Sequence, residues 1–135
     1  MPLTLQLIPG EFAVCRLPAF EPAVTAVGSA TAVPAWAYSP VFSSVTRTGD
    51  ELSIICPAMQ VPAGIQHDAG WRVLKFQGPF AFTETGILAS VLTPLAAAKI
   101  SILATATFDT DYLLVKSAQL EAARRALTAV GHLVS

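Results

Sequence analysis

The run WRVLKFQGPFAFTETGILASVLTPLAAAKISILATATFDTDYLLVKSAQLEAARRALTAV (71–130) moves between the two-residue period of strands and the 3.6-residue period of helices. Its opening WRVLKF puts Leu74 and Phe76 on one face and Val73 and Lys75 on the other, and Gly78-Pro79 ends that strand. ILASVLTPLAAAK (87–99) repeats at helical spacing through Ile87, Val91, Leu95 and Ala98. Thr83 or Thr85 is placed to cap this helix, and Lys99 suits its last turn. Pro94 lacks the N–H that would reach the Ser90 carbonyl, which predicts a kink or a break. ISILATATF (100–108) and YLLVK (112–116) read as strands, with Asp109-Thr110 as the hairpin turn. Ser117 is the cap expected for a helix over LEAARRALTAV, with Leu120, Ala123, Leu127 and Val130 buried. Glu121 and Arg125 form an i,i+4 pair on its wet side, and Gly131 suits the C′ position.

This order, β-α-β-β-α, is one strand short of a ferredoxin-like unit. LTLQLI (3–8) is the candidate to supply the missing strand from the N-terminus. In the first half, EFAVCRL (11–17), VFSSVTRT (41–48) and ELSIICPA (51–58) read as strands, with a hairpin turn at Thr48-Gly49-Asp50. PAWAYS (34–39) fits a short helix with Pro34 in its first turn, and residues 59–70 a loop or one helical turn. The expected fold class is α+β. Two ferredoxin-like βαββαβ units would exchange strands, their antiparallel sheets carrying helices on one face. Residues 1–70 form the first, degenerate unit and residues 71–135 the second, with strand 3–8 completing the second.

Composition narrows the function classes. Of 135 residues 53% are hydrophobic and 13% charged, with mean hydropathy +0.59, so a large core is available and disorder is disfavoured. So few charges also imply apolar surface buried between subunits. Residues 22–46 are uncharged, but Pro22, Pro34, Pro40 and Gly28 interrupt them, and they contain no Leu or Ile. That argues against a spanning helix, which wants about 20 strongly apolar residues. Residues 85–98 are uncharged but too short, and MPLTLQLIPG has no basic n-region, so a soluble cytoplasmic protein is expected. Residues 1–70 hold two basic and five acidic residues and residues 71–135 six and four; neither half has the basic, aromatic-laced patch of a nucleic-acid binder. Cys15 and Cys56 lie 41 apart in apolar runs, give no zinc spacing and fit buried free thiols.

Three stretches carry a resemblance: SVTRTGDELSIICP (44–57), GWRVLKFQGPF (70–80) and TGILASVLTPLAAAKISILATATFDTDYLLVK (85–116). In this order they resemble the small bacterial tandem ACT-domain proteins. Those are similar to the ACT modules of aspartate kinases and of arginine sensors of the CASTOR type. The resemblance covers roughly residues 10–132. It implies ferredoxin-like units, side-by-side sheet pairing into a homodimer, and regulatory binding of an amino acid or similar small polar ligand between the units. It does not imply an enzymatic activity, and no cofactor and no metal are expected. The chain departs from the family at Glu84, where a small or hydrophobic residue is common, and in the small, apolar segment 22–46.

Candidate site residues follow. The loop AFTETGIL (81–88) leads from a strand into a helix N-terminus, whose free N–H groups and positive dipole favour an anion. Gly86 permits close approach to the backbone. By resemblance Thr85, Gly86 and Ile87 hold the ligand; otherwise Thr83 or Thr85 simply caps the helix. Glu84 pairs with a ligand ammonium or is a solvated first-turn residue. Ser44 and Val45 match the Ser-Val pair of the arginine-sensor type, with Thr46 beside them; the bland alternative is an ordinary strand. Asp109 and Asp111 suggest a metal or an acid–base pair, but no third ligand, phosphate loop or partner nucleophile accompanies them. What remains is a hairpin tip, or a ligand-facing wall of Phe108, Asp109 and Thr110, which the resemblance supports. His67 and His132 read as surface residues, and no nucleophile motif such as GxSxG occurs. The alternative to a sensing module is a structural or protein-interaction module with a degenerate, unoccupied pocket.

Overall fold

A computed structural model of the chain describes residues 2–20 and 30–135. Residues 22–29 of the uncharged segment, and what its composition implies, lie outside them. Among the described residues no helix is long and apolar enough to cross a membrane. The fold is a sheet-rich α+β arrangement with two α-helices among those residues. The chain divides into two compact units, residues 1–9 with 71–135, and residues 10–70.

The larger unit takes the start of β1 (Thr4–Leu17) and the end of β4 (Gln66–Phe76), followed by α1 (Ile87–Ala97), β5 (Ile102–Ala106), β6 (Asp111–Lys116), α2 (Leu120–Ala129) and β7 (Leu133–Val134). Its strands run β1-β4-β6-β5. β4 and β6 are antiparallel from Trp71↔Lys116 to Lys75↔Tyr112, and β5 and β6 from Ile102↔Val115 to Ala106↔Asp111. β7 pairs in parallel with β1 at Thr4↔Leu133 and Leu5↔Val134, a departure from the expected antiparallel pattern. Strand alternation puts Leu74, Phe76, Leu113 and Val115 on one face, where they form a single core with Ile87, Val91 and Leu95 of α1 and Leu120, Ala123 and Leu127 of α2.

Both helices stop by the same device. Ile100 N–H donates to Leu95 O (3.0 Å) and Lys99 N–H to Ala96 O (3.0 Å), with Lys99 left-handed at φ 60. His132 N–H donates to Leu127 O (3.0 Å) and Gly131 N–H to Thr128 O (3.0 Å), with Gly131 at φ 95. This paired pattern closes the orphan carbonyls of a helix end and folds the following residue back onto it.

Several local expectations are corrected. Val130 is exposed rather than buried, because it falls in the winding-down turn of α2. Neither Thr83, Thr85 nor Ser117 caps a helix with its side chain: α1 starts from Gly86, and Ser117 opens a 3-10 turn before α2. Glu121 meets Arg124 at 3.3 Å, one residue short of the expected Arg125. Pro94 does not break α1, which runs through it from Ile87 to Ala97.

In the smaller unit the rest of β1 pairs antiparallel with β3 (Leu52–Pro57), from Phe12↔Pro57 to Leu17↔Leu52. β2 (Ser44–Arg47) lies outside β3, from Ser44↔Ile55 to Arg47↔Leu52. The hairpin tip is tied by Thr48, whose Oγ1 accepts from the Asp50 and Glu51 N–H groups. The short helix expected over 34–39 is a 3-10 turn, Ala35–Ala37. Ala13, Cys15, Ala37, Leu52, Ile54 and Cys56 form this unit's core, with Trp36 packed against it. Gln60 Nε2 donates to Trp36 O and Tyr38 O, both at 2.8 Å, which anchors the turn. Both cysteines are free and buried. Burial and the neighbouring Cys56 push the Cys15 thiol up to about 11, and burial also raises Cys56.

Candidate ligand-binding site

The larger unit gathers a cavity of about 220 Å³ between the loop before α1 and the β5–β6 hairpin. Each wall has a local cause. On the loop side, Ala81 N–H donates to Glu84 Oε1 (2.9 Å) and Glu84 N–H to Ala81 O (3.0 Å), so a tight turn holds the carboxylate in place. On the hairpin side, Thr107 N–H and Oγ1 both donate to Thr110 O at 2.9 Å, which makes Phe108 and Asp109 the tip. The expected turn, Asp109-Thr110, is therefore displaced by one residue. Thr110 is buried, and its Oγ1 donates to Phe76 O (2.7 Å), pinning the hairpin to the end of β4. Phe80 N–H donates to Asp109 O (3.1 Å) and closes the base of the cavity.

Among the expected site residues, Glu84, Ile87, Phe108, Asp109 and Thr110 line this cavity together. Thr85 is exposed in the same loop and is not part of its lining. Gly86, left-handed at φ 78, instead faces a second hollow of about 450 Å³ along α1, shared with Ser90, Pro94 and His132. A Cβ on Gly86 would meet nothing within 4 Å, so backbone conformation rather than space selects glycine there. Ser44, Val45 and Thr46 belong to the smaller unit, on β2, with Ser44 half-buried and the other two exposed.

Residues that sequence reasoning missed complete the lining. Phe80 and Phe82 contribute to it, and so does Asp111, which the sequence singled out only for metal or acid–base chemistry. Phe82 and Phe108 are 77% and 80% exposed, yet their rings meet edge-to-face at 5.1 Å between centroids. Two aromatic rings held together in solvent form an apolar lip beside the Glu84, Asp109 and Asp111 carboxylates. The signal lay in PFAF (79–82), where aromatics sit at strand spacing beyond the Gly-Pro that ends the strand. Among the described residues no group of three His, Cys, Asp or Glu side chains is arranged to hold a metal ion.

His132 is not a surface residue. It is 3% exposed; its Nδ1 accepts from Leu3 N–H (3.0 Å) and its Nε2 lies 2.9 Å from Ser90 O. Those partners make Nδ1 the acceptor and Nε2 the donor. The Ser90 carbonyl is the one that Pro94 leaves without a helical partner.

Residues 66–129 match the family model of the ACT domain. That stretch is an ACT domain, so this is an ACT-domain protein. Residues 10–64 match a separate model, described as an N-terminal domain. No curated protein matches this ACT-domain chain in sequence. It is similar to a solved structure, the Agrobacterium tumefaciens protein Atu0741, at 42% identity over 100% of this chain and 93% of that one, with a TM-score of 0.87. The Vibrio cholerae protein VC0802 shares its fold at 18% identity, over 96% of this chain and 90% of that one, with a TM-score of 0.71. So does the aspartate kinase of Clostridium acetobutylicum, described as an allosteric enzyme: identity is 11%, coverage 95% of this chain and 33% of that one, and TM-score 0.63. ACT domains act generally as regulatory ligand-binding modules.

Proposed function

We propose that this ACT-domain protein is a sensing module, not an enzyme, and that it binds an amino acid or a similar small polar ligand. The observation that carries the proposal is the cavity at the start of α1, where Glu84, Ile87, Phe108, Asp109 and Thr110 converge. It joins three chemistries within reach of one small molecule. The positive end of α1 favours a carboxylate. Carboxylates of Glu84, Asp109 and Asp111 favour an ammonium. The Phe82–Phe108 lip favours an apolar body. In this proposal the ligand also reaches Thr85 and the Gly86 backbone at the helix start, and the first unit, which carries Ser44, Val45 and Thr46, is a degenerate tandem copy of the ACT fold with exchanged strands. Binding favours one arrangement of the ligand-contacting elements over another, which is the whole mechanism.

The protein further acts in the cytoplasm as a homodimer. β5 supports that assembly: it ends the strand order of its unit, and residues 100–108 contain no charge to discourage pairing with a second copy. Isothermal titration of the full chain with each of the twenty amino acids tests the proposal. A saturable heat with at least one of them is expected. Silence with all twenty would favour the structural module with an unoccupied pocket.

A further inference from the structure

His132 joins two parts of the larger unit that are far apart in sequence. Its Nδ1 takes the N–H of Leu3, 129 residues away, and its Nε2 faces the carbonyl of Ser90, 42 residues away. Both contacts exist for identifiable reasons. Pro94 strips the Ser90 carbonyl of its helical donor, leaving an acceptor on the flank of α1. The paired-bond ending at Gly131 folds His132 back onto α2 and toward that flank. The next residues, 133–135, then zip in parallel against β1. Leu133 N–H donates to Leu3 O (2.9 Å), Ser135 N–H to Leu5 O (2.9 Å), and Leu7 N–H to Ser135 O (2.8 Å). So short a strand pair holds little stability of its own. The ring ties it to a helix whose next bond upstream, Ser90 N–H to Gly86 O (3.0 Å), reaches the loop of the candidate site.

We propose that His132 is a latch: the β1–β7 strand pair and the first turn of α1 open and close together because one imidazole holds both. Its two bonds act as one unit, since a ring that swings away from Ser90 also leaves Leu3 N–H buried and unpaired. A ligand that tightens the start of α1 would thereby tighten the terminal strands; this consequence, unlike the latch, rests on the ligand reading above.

Amide hydrogen exchange on the full chain without ligand tests the latch by itself. His132→Asn keeps an acceptor near Nδ1 and loses the donor to Ser90. His132→Gln keeps a donor near Nε2 and loses the acceptor for Leu3. Each variant is expected to speed exchange about tenfold or more at both ends, at Leu7, Leu133 and Ser135 and at Ser90, while amides of the β4–β6 ladder keep their rates. Loosening of only the helix in one variant and only the strands in the other overturns the latch, because the two bonds would then be independent. A uniform rise at every amide overturns it too, as the mark of a merely structural residue. His132→Ala removes both bonds and should match the larger of the two effects rather than their sum.

Discussion

Gly78 sits where the candidate cavity is closed, and replacing it with alanine tests how that closure is made. A Cβ at this position would stand 3.0 Å from Phe80 N, 3.1 Å from Phe80 Cδ2 and 3.2 Å from Asp109 O. Two of these are the backbone donor and acceptor of the 3.1 Å Phe80–Asp109 hydrogen bond, so the methyl group cannot be relieved by rotating a side chain. Either the bond opens or the loop moves away from the hairpin. Overpacking of this kind costs about 1–3 kcal/mol. The bond adds about 1 kcal/mol if it breaks, and the stiffer unfolded chain returns about 0.4–1 kcal/mol. The net expectation is a loss of about 2 kcal/mol. Urea unfolding of Gly78→Ala measures it, with Gly49→Ala as control, since a Cβ on Gly49 meets nothing within 4 Å. The control should stay within about 0.5 kcal/mol of the parent. Faster exchange of the Phe80 amide in the Gly78 variant would report the opened bond directly. If both variants unfold at the same urea concentration, the hairpin and loop are not held as described.

Other outcomes follow from the same geometry. Gly86→Asp should weaken ligand binding at least about tenfold, because it adds a side chain and a negative charge at the helix start and forces a left-handed residue; titration calorimetry reads it. Pro94→Ala should soften the penalty of His132→Ala, since the substitution restores a backbone N–H at position 94 that satisfies the Ser90 carbonyl. A double-mutant cycle in urea should show about 1 kcal/mol of coupling. Cys15 has its thiol raised from 9.0 to about 11, so the folded state keeps a proton that the unfolded state gives up. Its stabilising contribution is complete below pH 9.0 and is lost as pH rises toward 11. Cys15→Ala should flatten the fall in stability between those values, measured by denaturant midpoints across pH.

The period of the sequence revealed what depends on local pattern. Ile87, Val91 and Leu95 mark α1; Leu120, Ala123 and Leu127 mark α2; the alternation around Leu74 and Phe76 marks the buried face of β4. What was hidden depends on partners distant in sequence. Pro9-Gly10 looks like a break, yet β1 runs through it, because Gly10 takes φ 98 without strain. QHDAG (66–70) looks like a loop, yet it belongs to β4, where pairing outweighs poor strand propensity. His132 looks solvated beside Gly131, and only the fold brings Leu3 and Ser90 to its ring. The cavity shows the same division. The loop and the hairpin were each legible, whereas the meeting of Phe82 with Phe108 needed both to be placed.

The central claim is that a small polar ligand occupies the cavity at the start of α1, and nuclear magnetic resonance titration of the labelled full chain with each amino acid tests it most directly. At least one amino acid should cause saturable shifts at the amides of 84–87 and 108–110. Shifts confined to other residues, or none at all across the twenty, would contradict it.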